Sequence, residues 1–355
     1  MDLELSVAEE IQDASMGRPH VVILGAGCSR AAFPNGDRAG RRLPLMNDLI
    51  RVLGLEVLLR PANLVDLPEN FEVLYSKLAM EDQYAALRSN IEKAVADYFA
   101  EMELPDIPTV YDHLILSLRS KDCIATFNWD PFLWDSWVRV QRRSLTPEPP
   151  RVLFLHGNVR IGTCYEHKRC GPVASRCPRC GRSFAQSRLL FPIEHKDYAK
   201  DPFVQDQWNG LRRYLKSAWM VTIFGYGAPK SDTEAVDLMK AAWGKVSDRN
   251  LEQVEIIDIK PEDELGEIWS NFIHTHHYQT SADFYDSWIA KHPRRSCEVM
   301  WQQLMECRFV NENPFPRNVG WPELRSWIRP LLDAEGKSGA AERDNDSPTE
   351  SQLGL

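Results

Sequence analysis

Three stretches put chemically able side chains directly behind short apolar runs. Cys123-Ile124-Ala125-Thr126 leads into Phe127-Asn128-Trp129-Asp130, Val152-Leu153-Phe154-Leu155 into His156-Gly157-Asn158, and Val254-Glu255-Ile256-Ile257 into Asp258. An imidazole titrates near neutrality and can take a proton from a hydroxyl or a water. An amide and a carboxyl at a neighbouring strand end are placed to reach the same ligand. A carboxylate such as Asp258 accepts two hydrogen bonds, which suits a vicinal diol. A fourth stretch, Gly25-Ala26-Gly27-Cys28-Ser29, follows Val21-Val22-Ile23-Leu24. The glycines permit a sharp turn and close backbone approach, Ser29 can cap the helix that follows, and unpaired N–H groups there favour a phosphate. Each feature also has a plainer reading. Asn128 and Asp130 can form an Asx turn, His156 can be structural, Asp258 can be an N-cap, and a glycine pair can be a bare βα turn; Arg30 leaves the six-residue dinucleotide fingerprint incomplete.

A second chemistry is written in the cysteines. Four of the eight, Cys164, Cys170, Cys177 and Cys180, fall in one short segment with His167. Cys177-Pro178-Arg179-Cys180-Gly181 has the two-residue gap that lets two thiolates reach one ion, with a glycine for the tight turn. The other pair is open: Cys164 with His167, His167 with Cys170, or Cys164 with Cys170. Cys164, His167, Cys177 and Cys180 are taken as the ligands of a structural Zn²⁺, with Cys170 as the alternative fourth.

These residues need strands and helices to hold them. Strands alternating with helical stretches indicate an α/β fold, a Rossmann-like doubly wound parallel sheet. Trp219 to Phe224 reads as another apolar strand, ending in Gly225-Tyr226-Gly227, with Ser231 or Asp232 capping the next helix. Residues 1–160 and 188–265 are expected to form the main domain. Within it, the loop-rich segment from Ala32 to Leu45 suits a lid, and 46–105 form an inserted helical layer. A zinc-ribbon module is expected over 161–187, a helical segment over 266–332 and a disordered tail over 333–355. His274, His276 and His277 cluster in sequence and read as free imidazoles in a loop.

Hydrophobic content of 43% over 355 residues permits a sizeable core. No apolar run is long enough to span a membrane, and the acidic start Met1-Asp2-Leu3-Glu4 has no leader pattern, so a cytoplasmic protein is expected. The net charge of −9 argues against nucleic-acid binding over the whole surface.

Four separated pieces then line up. Gly25-Ala26-Gly27-Cys28-Ser29, Asn128-Trp129-Asp130, His156-Gly157 and the cysteine knuckle occur in the order seen in the sirtuin-like superfamily. The turn Phe224-Gly225-Tyr226-Gly227-Ala228-Pro229-Lys230-Ser231-Asp232 resembles that of prokaryotic sirtuin-like proteins of antiviral operons. The resemblance covers Val21 to Pro261. It implies NAD⁺ as substrate, with Gly25, Ala26, Gly27, Cys28 and Ser29 on the diphosphate and Gly225, Tyr226 and Asp258 on the adenosine half. It also implies Asn128 at the nicotinamide ribose or the attacking water, Asp130 in support, and His156 as the base. Deacylating members carry Gln where Phe127 stands, so the resemblance points to the NAD⁺-cleaving branch. That branch implies an NAD⁺ glycohydrolase acting in abortive infection. It would be gated by homo-oligomerisation or by a defence-operon partner: a translocase ATPase, an Argonaute-like protein or a nucleotide-sensing subunit. The alternatives are an NAD-dependent deacylase or ADP-ribosyltransferase, and a non-catalytic nucleotide-binding subunit.

Overall fold

A computed structural model describes residues 3–345 apart from 63–67, 194–197, 199, 230–231, 246–248, 250, 271 and 274–277. The three clustered histidines therefore lie outside the described residues. The strands are β1 (Glu4–Leu5), β2 (His20–Leu24), β3 (Cys123–Thr126), β4 (Arg151–Phe154), β5 (Ile161–Cys164), β6 (Arg169–Pro172), β7 (Ala185–Gln186), β8 (Met220–Phe224), β9 (Gln253–Ile257), β10 (Tyr278–Ser281) and β11 (Phe309–Val310).

Six of them make one parallel sheet in the order β10-β9-β8-β2-β3-β4. Side chains alternate across it with the strand period of two. Val22, Leu24, Ile124, Phe224 and Ile257 enter the core on one face. Val21, Ile23, Ala125, Val221, Ile223, Val254 and Ile256 enter the core on the other. A strand buried on both faces is near-continuously apolar, which is why Val21–Leu24 of β2 reads as an unbroken run and β8 is interrupted only by Thr222. The chain builds β2, β3 and β4 outward to one side, then returns to lay β8, β9 and β10 on the other. The order reverses between β2 and β8, and the crevice outside the carboxyl ends of strands at such a point is where dinucleotides bind in doubly wound sheets.

The expected helical layer is present as helices at Leu49–Leu53, Glu56–Leu59, Phe71–Ala79 and Ala85–Ala100, joined to the core through Leu74, Leu78, Ile91, Val95 and Phe99. The cysteine segment forms its own antiparallel sheet, β6-β5-β7. Two expectations are corrected toward the C-terminus. The segment 266–332 is not wholly helical, because β10 is an edge strand of the main sheet, paired with β9. The tail is helical rather than disordered as far as Asn345, and residues 346–355 lie outside the described residues. Glu335 on that helix pairs with Arg294 and Arg295, whose side chains are buried, at 2.6 and 2.7 Å.

Candidate active site

The turns after β2 and β8 lock together at the switch point. Gly25 N–H donates to Phe224 O at 3.0 Å and Gly27 N–H to Gly225 O at 2.9 Å. Gly225 has φ of +61°, and a Cβ there would sit 2.1 Å from Cys28 N; a Cβ on Gly25 would sit 2.5 Å from Gly225 O. Glycine at both positions is therefore a steric requirement. This corrects the expectation of a row of unpaired N–H groups, since those of Gly25 and Gly27 are spent on the neighbouring turn. Ser29 caps nothing. The helix Ala26–Ala32 has Gly25 as its N-cap and carries Ser29 one turn in. Cys28 is turned wholly into the core, where burial pushes its thiol pKa up, so its side chain does not reach the crevice.

Over this junction lies a cavity of about 460 Å³, within the ~300–1,000 Å³ typical of small-molecule sites. Its lining includes Gly25, Ala26, Gly27 and Ser29 after β2, Asn128 and Asp130 after β3, His156 after β4, Gly225 and Tyr226 after β8, and Asp258 after β9. Leu43 to Asn47, in and just beyond the loop-rich segment, and Asn70, Glu72 and Phe99 from the helical layer close the opposite wall.

Asn128 is fixed by its own amide. Nδ2 donates to Gly25 O at 2.9 Å and to Ser29 Oγ at 3.0 Å. Among the described residues no donor reaches Oδ1, so the amide presents an acceptor. Ser29 Oγ in turn donates to Asp130 Oδ2 at 2.6 Å and meets the Tyr111 hydroxyl at 2.7 Å. Asp130 also makes the Asx turn that its sequence position allows, accepting Phe132 N–H at 3.1 Å. Burial pushes its carboxyl up to about 6 against the hydrogen bond from Ser29, which favours the charged form. Ser29 thus ties the β2 turn to the β3 end, a role the sequence does not signal.

His156 is 5% exposed. Its position depends on Gly157, whose φ is +80° and where a Cβ would lie 2.2 Å from Arg188 O. Nε2 lies 3.4 Å from the Tyr198 hydroxyl and 4.0 Å from Asp232 Oδ1. Phe127 presents its ring edge-on to the imidazole at 4.8 Å and stacks on Tyr226 at 4.1 Å. The Tyr226 hydroxyl donates to Asp232 Oδ2 at 3.1 Å. Tyr226, expected on the adenosine half, is therefore linked to His156 through Phe127 and Asp232. Asp232 is the residue sequence reasoning missed. It precedes the helix Thr233–Trp243 as its N-cap residue but makes no side-chain cap, and the carboxylate faces Tyr226 and His156 instead. Asp258 lines the crevice beyond β9, with Oδ1 accepting Lys260 N–H at 3.1 Å.

Away from the crevice, the ligand atoms of Cys164, His167, Cys177 and Cys180 all lie within 4.8 Å of one another. Cys164 Sγ is 3.7 Å from Cys180 Sγ and 3.6 Å from His167 Nδ1. Ligands at the Zn–S distance in a tetrahedron sit about 3.8 Å apart, so this Cys₃His set fits a closed structural zinc site. Cys170 is not brought to it. On the β5–β6 hairpin it pairs with Thr163, and neighbouring residues alternate faces, so it sits on the face opposite Cys164.

No protein-family model and no curated protein matches the chain. Solved structures do resemble it. A Sir2 homolog–NAD complex is 15% identical with a TM-score of 0.40, covering 92% of this chain and 94% of its own. A structure described as the basis for the mechanism and regulation of Sir2 enzymes is 16% identical with a TM-score of 0.37, covering 92% and 96%. Sir2Af2 bound to a myristoylated histone peptide is 14% identical with a TM-score of 0.34, covering 84% and 99%.

Proposed function

We propose that this chain is an NAD⁺ glycohydrolase, releasing nicotinamide and ADP-ribose, with Asn128 and His156 at the reacting end. The observation that carries the reading is the Asn128 amide, fixed through Nδ2 with Oδ1 left to accept, in a cavity at the sheet's switch point that the buried His156 also lines. NAD⁺ carries its own leaving group. The bond between ribose C1′ and the nicotinamide nitrogen breaks with its electron pair returning to the ring, which leaves neutral. Water oxygen then bonds to C1′, and one proton is released. The protein has to orient the ribose, shelter the developing oxocarbenium and position the water. Asn128 Oδ1 accepts from the water or a ribose hydroxyl, and His156 accepts the proton. Asp130, through Ser29, holds the Asn128 amide in register. Asp258 takes the adenosine ribose. Gly25, Ala26 and Gly27 let the diphosphate approach the backbone. The zinc stays outside this chemistry and holds the module together.

The motif resemblance supports a further step: an effector of anti-phage defence, held inactive until an oligomer or a partner subunit licenses it. The competing reading is an NAD-dependent deacylase or ADP-ribosyltransferase. Incubation with NAD⁺, with and without an acyl-lysine peptide, separates them. Glycohydrolysis predicts equal nicotinamide release in both; release that requires the peptide contradicts it.

A further inference from the structure

Charge is distributed unevenly along this chain. Residues 161–187 hold five cations, Lys168, Arg169, Arg176, Arg179 and Arg182, and one carboxylate, Glu166. The whole chain is at −9. Three thiolates with a Zn²⁺ add a single negative charge, so the module remains positive. All five cations are exposed, and among the described residues only Arg182 has an ion pair, with Glu166 at 2.7 Å. The scaffold that carries them is small: four-residue strands such as β5 and β6 are about 13 Å long. The five cations fall within the fifteen residues 168–182, so at low ionic strength, where the Debye length reaches about 30 Å, they act on a polyanion together.

From this we infer that the zinc ribbon is a docking surface for the phosphate backbone of a nucleic acid. Four of the five cations are arginines, whose planar fork matches phosphate and carboxylate oxygens alike. What favours a nucleic acid over an acidic protein is that the surface lacks the apolar centre a protein interface requires: among the module's described residues, Tyr165 is the single exposed large hydrophobic, and its hydroxyl is engaged by Asp201. The net charge of the whole chain, which argues against nucleic-acid binding, averages over this module.

The test uses the full chain and fluorescent 20-nucleotide DNA, single-stranded and duplex, with anisotropy read from 25 to 200 mM salt. Each phosphate neutralised contributes about −0.9 to the log–log salt slope on duplex and about −0.7 on single strands, so three to four contacts give a duplex slope near −3. Arg169→Gln/Arg176→Gln/Arg182→Gln should flatten that slope and weaken binding at least tenfold at 50 mM salt, with zinc content unchanged. A control removing three exposed cations elsewhere, Arg38→Gln/Arg51→Gln/Arg329→Gln, should bind as wild type. Absence of binding at 25 mM salt, equal loss in both triple variants, or capture of poly-L-glutamate in place of DNA would overturn the inference.

Discussion

His156 Nε2 lies 4.0 Å from Asp232 Oδ1, and the other oxygen of that carboxylate accepts the Tyr226 hydroxyl at 3.1 Å. The three residues come from the ends of β4 and β8 and meet across the switch point. In the proposed reaction Asp232 is the carboxylate that faces the proton-accepting imidazole, and the Tyr226 hydroxyl fixes its direction. Asp232→Asn keeps the shape and removes the charge. The expected result is a fall in kcat of at least about tenfold with KM nearly unchanged, measured by steady-state nicotinamide release. An equal rise in KM with kcat intact would make Asp232 a ground-state binding residue.

Gly225 and Gly227 sit in the same turn and should respond oppositely. A Cβ on Gly225 meets the Cys28 backbone at 2.1 Å, whereas one on Gly227 meets nothing within 4 Å. Gly225→Ala should cost more than about 2 kcal/mol in denaturant unfolding, combining a positive φ with a backbone clash. Gly227→Ala should unfold within about 0.5 kcal/mol of wild type, as surface changes do.

Metal analysis should find one zinc per chain. Cys177→Ser and His167→Ala should lose it, and Cys170→Ser should keep it, because Cys170 faces away from the cluster. Chelation should expose the module to protease while the parallel sheet retains its circular dichroism.

Glu255 makes stability depend on pH. It lies wholly buried on β9, accepting the Thr222 hydroxyl at 2.8 Å and the Trp288 N–H. Burial raises its pKa to about 7, against hydrogen bonds that lower it. The folded state thus holds a proton that the unfolded chain releases, and this contribution to stability is present at low pH and lost as pH rises through about 4.5 to 7. Glu255→Gln does not titrate. Its stability relative to wild type should rise between pH 4 and pH 8, by up to roughly 3 kcal/mol from a shift of this size. A constant difference in urea midpoints across that range would contradict the assignment.

Much of the sheet was legible in the sequence because parallel strands buried on both faces are largely apolar, as β2, β3 and β8 are; β9 was recognisable from Val254, Ile256 and Ile257 despite the buried Glu255 between them. β10 was not legible. Tyr278-Gln279-Thr280-Ser281 is a half-exposed edge, and a polar edge strand has no such signature. The strand-end residues Asn128, Asp130, His156 and Asp258 reach one cavity, since strand ends converge there. What they do to one another could not be read. Ser29 looked like a cap and is a bridge between Gly25-turn and Asp130, and Asp232 looked like a cap and faces a histidine. In both cases the side chain's partner lies over 70 residues away, at the far end of a sheet crossover. The cysteine spacing left three possible pairs for the first knuckle, and the hairpin register decided between them by putting Cys170 on the wrong face.

The most direct measurement follows nicotinamide and ADP-ribose by chromatography as the purified chain meets NAD⁺, beside Asn128→Ala and His156→Ala. The account predicts equimolar products from wild type and a loss of at least about a hundredfold in each variant, the scale of a lost general base. NAD⁺ cleavage by either variant at the wild-type rate would contradict it.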